Sequence, residues 1–585
     1  MLQLIISGEP VDLSPGTSIS IEEESPVFDK DTIPGGFSFP FVLPITPKNR
    51  RILGFPERVE KAGPMTTELP FQLFHSGKLR ASGTVEITEA SETYKASLYV
   101  RSGDFASKIN GKKLKDLDLG GSRTWEWKPE YKAPEDDFTL APIYNSLFYS
   151  ETYQAELFHT YFYRVNAFES GGFYQMPGNT PYVISPFPFI HYLINQVFKF
   201  AGFNVIENVL LSDPDFRDLV MYTIKDITTF DTTLIYQLLF YVDQFGNNQE
   251  YPTTAGFTGD RTVAEFNLVD SMPDMTITDF ILSLRNFLNV AFIIEGDSVR
   301  IIKRQDLVLS ASVIDITTMA TGTPLVSQSR VNGLKLEWTP DQTDALWGED
   351  FFKNIDDFID FIKPPLATIS MLETVVATSD EIRYITDVDL YFRYVHFAYD
   401  PDDDTLLRWQ WVPWSLNFQN YRQGNAEEVF STKVAPILMA VTKHNPDNGL
   451  QRMPTVEQKG SFNGVAVKTD FALRLMFYRG LIPDSLGADY PYLSNDNLDR
   501  VGSLLPGKNL TLRFEGQYGI FAQLWTKYLT WYSLRKQVTW TITDPSQLSF
   551  GQKYSIQGSH YLLKSRSINL GVNSISPEDC EFYLV

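Results

Sequence analysis

"DMTITDFILSLRNFLNVAFIIEGDSVRIIKRQDLV", Asp274 to Val308, changes its hydrophobic period half-way along, and that change decides the fold class. In the first half Ile277, Phe280, Ile281, Leu284 and Leu288 recur at intervals of three and four, which lines one face of a helix. Thr276 or Thr278 supplies a hydroxyl for the N-cap. The second half, "AFIIEGDSVRII", is two extended runs around Gly296-Asp297, a pair suited to a tight hairpin turn. A helix followed at once by a hairpin is a compact unit with one apolar side. "SPFPFIHYLINQVFKFAGFNV", Ser185 to Val205, repeats the construction: Ile190, Leu193, Ile194, Val197, Phe198 and Ala201 keep helical spacing. Gly202 stops that helix before the strand "FNVIE".

Outward from these units the chain reads as strands. "LQLIISG" and "TSISIEEE" are separated by Pro10 and by Pro15-Gly16, and "LPFQLFHSGKLRASGTVEITEASETYKASLYVR" alternates as three or four antiparallel strands. "TPKNRRILG" interrupts them with a short helix, with Thr46 at the N-cap, Pro47 at the first turn and Gly54 at the stop. Farther on come "NGLKLEWT", "DVDLYFRYVHFAY", "LRWQWVPW" and "FALRLMFYRG". Then follow the helix "GIFAQLWTKYLTWYSLRKQ" and the strands "VTWTITD", "KYSIQGSHYLLKSRSINL" and "CEFYLV". "DDFIDFIKPP" is expected to be a short helix stopped by Pro364-Pro365.

The expectation is a β-dominated α+β chain of several small barrel- or sandwich-like domains with inserted helix-hairpin modules. The boundaries fall at 1–125 (N-terminal barrel), 126–265 (with a helix at 188–201) and 266–345 (helix-hairpin module and second barrel strands). A β-rich region with long loops at 346–500 and a C-terminal helix and hairpin region at 501–585 complete the division.

"FSFPFVLPI", Phe37 to Ile45, is the anomaly. Phe37, Phe39, Phe41, Leu43 and Ile45 share the odd phase of an extended run, and Pro40 and Pro44 occupy the other phase. Each proline lacks a ladder donor, so this strand belongs at an edge or a bulge and is protected against uncontrolled pairing. The Phe37, Phe39, Phe41 face is then expected to be dry, covered by its own barrel or by a neighbouring subunit. These three residues are the candidate interface.

The remaining residues point away from chemistry. The 585-residue chain carries 50 basic and 72 acidic residues, a net charge of −22, which opposes a protein that grips nucleic acid by its phosphates. The lone cysteine, Cys580, excludes an internal disulfide and a cysteine-based zinc cluster. "MLQLIISGEP" lacks the basic start and apolar length of a signal peptide, and no apolar run is long enough to span a membrane. The six histidines are scattered without an HExxH pair, and His191 reads as a satisfied, partly buried side chain. No nucleophile elbow, phosphate loop or dinucleotide fingerprint is present. "DPDDDT", Asp400 to Thr405, lacks the glycine and the closing acid of a calcium loop, so it reads as an acidic turn. Trp409, Trp411 and Trp414 are read as one strand face, for which a packed core or a subunit contact outweighs sugar stacking. No catalytic residue, cofactor or metal is expected.

Four stretches taken in order resemble the baseplate-hub or tail-hub proteins of long-tailed bacteriophages, the family that includes the non-enzymatic part of tail-associated lysins. They are "DTIPGGFSFPFVLPITPKNRRILGF", "FIHYLINQVFKFAGFNV", the Asp274–Val308 unit and "LSFGQKYSIQGSHYLLKSRSINL", together under a quarter of the chain. The resemblance implies a homo-oligomer, a trimer. Its paired barrels would form a six-part ring that joins a sixfold tail tube and distal tail proteins to threefold spike or fibre proteins, with a passage for DNA. It implies a place in the virion tail after assembly in the host cytoplasm, with no stable DNA binding. One departure stands out. No lysozyme or peptidase domain follows Val585, so a cell-wall hydrolase is expected on another chain. The readings from other classes are a tail-borne glycan hydrolase and a receptor- or glycan-binding tail protein. The long repeats usual in tail depolymerases are missing.

Overall fold

The computed structural model describes residues 1–33, 36–58, 69–100, 102–124, 128, 130–144, 164–166, 168–169, 172–173, 185–222, 233–242, 248–258, 265–328, 333–338, 362–377, 381–386, 390–396, 409–416, 421–424, 428–435, 437–443, 450–455, 473–483, 487–514 and 516–585. Its elements confirm a β-dominated α+β chain.

The N-terminal part consists of β1 (Leu2–Ile6), β2 (Ile19–Glu24), β3 (Gly36–Ser38), β4 (Phe41–Pro44), α1 (Pro47–Leu53), β5 (Leu69–His75), β6 (Lys78–Ala90), β7 (Thr93–Val100) and α2 (Ser102–Ile109). Helix α1 forms where its caps dictate. Thr46 Oγ1 accepts the Asn49 N–H at 3.1 Å, and Gly54 closes the end with φ 70°. Leu4, Ile21, Leu43, Leu73, Val85 and Leu98 alternate inward along their strands into one core.

The two helix-hairpin stretches join each other. The first gives α3 (Ile190–Phe200) and β8 (Asn204–Asn208), the second α4 (Ile277–Leu288), β9 (Val290–Glu295) and β10 (Ser298–Lys303). Thr276, not Thr278, caps α4 by accepting the Asp279 N–H at 3.1 Å, and Asn289 ends it at φ 51°. Strand β8 runs parallel to β10, and β10 runs antiparallel to β9, in a three-stranded sheet. Phe105 of α2 stacks on Phe198 of α3 with ring centroids 4.8 Å apart, so the N-terminal barrel and this module share a boundary of aromatic packing.

The C-terminal part supplies β11 (Ala320–Gln328), α5 (Thr526–Tyr532), β12 (Lys536–Ile542), β13 (Lys553–Ile556), β14 (Ser559–Leu570) and β15 (Glu578–Leu584). These strands do not make a separate sheet. Strand β2 pairs with β14 from Ile19↔Leu570 to Glu24↔Ser565, and the order β1-β5-β6-β7-β3-β2-β14-β15-β12-β11 runs through both ends of the chain. Between them an eight-stranded sheet includes Ile362–Leu366, Ile382–Ile385, Leu390–His396, Trp409–Leu416, Leu438–Lys443 and Leu450–Thr455. The expected helix at "DDFIDFIKPP" is corrected over its end, because Ile362–Leu366 is a strand that carries both prolines at a sheet edge; the rest of that stretch lies outside the described residues. "DPDDDT" also lies outside them.

Two sets of polar contacts hold the parts together. Arg566 on β14 and Glu23 on β2 are 0% and 3% exposed, and Arg566 Nε donates to Glu23 Oε2 at 2.7 Å. The same guanidinium donates through Nη1 to the Pro545 carbonyl at 2.9 Å. The loop after β2 is seated on the α4 module. Arg285 Nη1 donates to Thr32 O at 2.8 Å, Asn286 Nδ2 to Lys30 O at 2.9 Å and Arg304 Nη2 to Asp29 O at 3.0 Å.

Removing one member of a buried ion pair strands the other charge. Arg566→Met is therefore expected to destabilise the protein by about 3–5 kcal/mol, and adding Glu23→Leu should restore part of that loss. Chemical denaturation of the two variants checks this, with the double variant more stable than the single.

Candidate subunit interface

The stretch Phe37–Ile45 does not keep one face. Phe37 stands opposite Tyr99 and Phe41 opposite Ala96, so four steps on one strand face three on its partner. One extra residue is inserted at Phe39-Pro40, a bulge where a proline without an N–H is tolerated. A one-residue slip turns every following side chain to the other face. The shared apolar face expected for Phe37, Phe39 and Phe41 is corrected accordingly. Phe41 is 6% exposed in the barrel core, whereas Phe37 and Phe39 are 45% and 49% exposed on the outer side.

Two residues set this phase. Gly36 faces inward, where an added Cβ would come within 3.1 Å of the Val100 carbonyl and 3.0 Å of Glu23 Cγ. Ser38 is also inward and buried, and its Oγ accepts the Leu98 N–H at 2.8 Å beside the bulge. On the far side Phe39 N still donates to Ser20 O at 3.0 Å, so the backbone is held from both flanks. The outward rings of Phe37 and Phe39 meet edge to face with centroids 6.2 Å apart, and Val42 on β4 is exposed as well. The result is an outward aromatic pair on a well-paired sheet, with Glu22 opposite Phe37 and Lys95 opposite Val42. Neither ring is free to fold back into its own barrel.

The other sequence candidates are accounted for inside the fold. His191 is buried against Phe189, with rings stacked 5.5 Å apart, and its Nε2 has no hydrogen-bond partner. Burial pushes its pKa down to about 4 against the opposing pull of Asp137 and Asp218, with Arg217 adding to the decrease. Cys580 is fully buried, and burial pushes its thiol up to about 12, which makes it inert at neutral pH. Trp411 packs on a small cluster of Leu372, Ile385, Phe392 and Leu498. Positions 411 and 414 fall in opposite phases of a regularly paired strand, so the three tryptophan positions do not share one face.

A cleft of 340 Å³ lies where the barrel meets the helix-hairpin module, lined by Phe71, Asp104, Lys108, Phe203 and Asp297 among others. Lys108 Nζ lies 2.9 Å from Asp104 Oδ2 on the same helix and reaches across the seam over the Phe203 ring at 5.0 Å. Among the described residues no group of His, Cys, Asp and Glu is placed to hold a metal ion, and no helix is long and apolar enough to cross a membrane.

No family model and no curated protein matches the chain. Solved structures do align with it. One is the 43 kDa tail protein of prophage MuSo2 from Shewanella oneidensis, at 8% identity and TM-score 0.32, covering 100% of this chain and 96% of that one. Another is a tail protein from Neisseria meningitidis MC58, at 7% identity and TM-score 0.29, covering 100% and 95%. Both neighbours are tail proteins. Superposition this loose transfers no residue, partner or assembly to the present chain.

Phe39→Asp and Phe41→Asp are expected to part company. The first replaces an exposed ring, so thermal melting of the isolated chain should change by no more than ~0.5 kcal/mol while association is lost. The second buries a carboxylate and should cost several kcal/mol. Thermal melts and light scattering on both variants check this. For His191, the unfolded side chain takes a proton near pH 6.5 and the folded one only near pH 4, so stability falls as pH drops through that interval. The loss should reach about 3 kcal/mol at most and be absent in His191→Gln, as measured by denaturation at pH 7 and pH 4.5.

Proposed function

We propose that the chain is a structural protein of a bacteriophage tail. It serves as one subunit of a hub ring, a trimer, that joins the sixfold tube and distal tail proteins to threefold spike or fibre proteins and leaves a passage for DNA. The observation that carries this reading is the outward Phe37–Phe39 pair, presented by a bulged strand that is hydrogen-bonded on both sides. Uncharged aromatics held rigidly at a surface are the composition of a protein contact rather than of a solvated face.

Three of the four hub-like stretches also form one contiguous unit, which supports reading them as a single ancestral module. Strand β8 pairs with β10, and Arg300 Nη2 of β10 lies 3.4 Å from the Gly551 carbonyl just before β13. The net charge of −22 suits a wall past which DNA moves without being held. On this reading the chain turns over no substrate and binds no cofactor.

Native mass spectrometry of the purified chain and of isolated particles, with particle images for symmetry, tests the proposal. A ring of three copies is the expected result, with no reducing ends or amines released from host peptidoglycan or capsule. A monomer under every condition, particles included, overturns it.

A further inference from the structure

The loop after β2 rests on two arginines whose charges its own acids do not balance. Arg285 on α4 is 2% exposed, and Arg304, directly after β10, is 0% exposed. Both reach the same residue. Arg304 Nη2 donates to the Asp29 carbonyl at 3.0 Å, and Arg285 Nη2 lies 3.7 Å from Asp29 Oδ1. Two like charges are thereby held near each other out of water, which is costly unless a counter-charge joins them. Burial and the neighbouring Arg304 push Arg285 down to about 9, so it still carries its proton at neutral pH.

The acids felt most at Arg285 are Asp29 and Asp31, and both are committed elsewhere. Asp29 is turned to its own loop: Oδ1 accepts the N–H groups of Asp31 and Thr32 at 2.8 and 2.7 Å, and Oδ2 accepts Thr32 Oγ1 at 2.8 Å. Asp31 is exposed and pairs with Lys30 at 2.6 Å. Three cations thus face two carboxylates, and one positive charge is left over beneath the loop.

Hydrogen-bonding capacity is left over with it. Among the described residues Arg285 Nε and Nη2, Arg304 Nε and Nη1, and Tyr528 Oη are buried without a partner. Nε and Nη2 form the side-on edge with which an arginine grips two oxygens at once. On Arg285 that whole edge is unused, because its bond to the Thr32 carbonyl runs from Nη1. Tyr528 on α5 belongs to the same group, with the Arg304 guanidinium carbon 6.0 Å from its ring centroid. Two acceptors are orphaned on the same stretch of chain, Asn286 Oδ1 and Asn289 Oδ1. Buried polar atoms left in such number call for a partner. The group that answers this set is negative, offers several acceptor oxygens and has a hydroxyl to donate. Chloride has no hydroxyl, and an ionised carboxylate has none either.

We propose that Arg285, Arg304 and Tyr528 form a site for one hydrogenphosphate-type oxyanion beneath the loop Asp29–Thr32. The way in is the loop itself, where Asp31 and Thr32 are exposed. The anion acts as a structural tie between the barrel and the helix-hairpin module, not as a reactant, and the inference does not depend on the ring reading.

The test is isothermal titration of the full-length protein, dialysed free of phosphate and sulfate, with inorganic phosphate against chloride at matched ionic strength. Saturable uptake of one phosphate per chain is expected, with no such uptake of chloride. Arg285→Lys keeps the charge and loses the side-on edge, so phosphate should bind roughly tenfold more weakly or worse. Asp29→Asn keeps an Oδ1 acceptor for the loop N–H groups and removes the nearest competing negative charge, so phosphate should bind several-fold more tightly. No saturable uptake by the parent overturns the proposal. Uptake by Asp29→Asn alone assigns the free arginine edge to Asp29 and overturns it too. Equal affinity in the parent and Arg285→Lys shows an adventitious ion only, and unchanged or weaker binding in Asp29→Asn places the anion elsewhere; either result counts against the site. Should Arg285→Lys fail to fold, the parent and Asp29→Asn still decide.

Discussion

The ion pair between Glu23 and Arg566 is the constraint on which the molecule depends. Both groups lie out of water, so the pair is tolerable only with its geometry complete, and completing it requires β2 and β14 to lie side by side. With β2 in place, β3 pairs on one flank and β14 on the other, and the loop that follows reaches the carbonyl acceptors' positions beside Arg285, Asn286 and Arg304. The barrel, the helix-hairpin module and the C-terminal strands are therefore parts of one hydrogen-bonded object. A rigid object of that kind suits a part whose work is to hold position.

Local structure was legible where a few neighbouring residues suffice to decide it. The caps Thr46 and Gly54, the helix stripe from Ile277 to Leu288 and the turn at Gly296 all stand where periodicity and capping chemistry put them. The phase of Phe37–Phe41 was not legible by alternation alone, because a bulge adds one residue without altering the apolar pattern. Gly36 and Ser38 did carry the signal: a glycine with no room for a Cβ and a hydroxyl able to replace a ladder acceptor mark the inward phase. The pairing of β2 with β14 left no local trace, since nothing in "ISIEEE" names a partner more than five hundred residues away. Its one hint, a glutamate among inward isoleucines, reads as an ordinary polar position until Arg566 is seen beside it.

The candidate interface follows from the same physics. A bulge moves two phenylalanines from the core to the surface while the strand remains tied to β2 and β7. Apolar area left in water on a strand that is otherwise hydrogen-bonded is what the proposed contact would cover. The interior charges show the opposite arrangement. Arg285 and Arg304 with the loop carbonyls face inward and join parts of the same chain.

The union of β2 with β14 also has a consequence in time. Strand β2 is made before its partner, which follows some 540 residues later, at about 5–20 residues per second a wait of roughly 30–110 s. Throughout that interval the isoleucines of β2 have one flank uncovered, and Glu23 lacks its counter-charge. The sheet cannot close progressively as it is translated. Its final shape waits until β14 has been made.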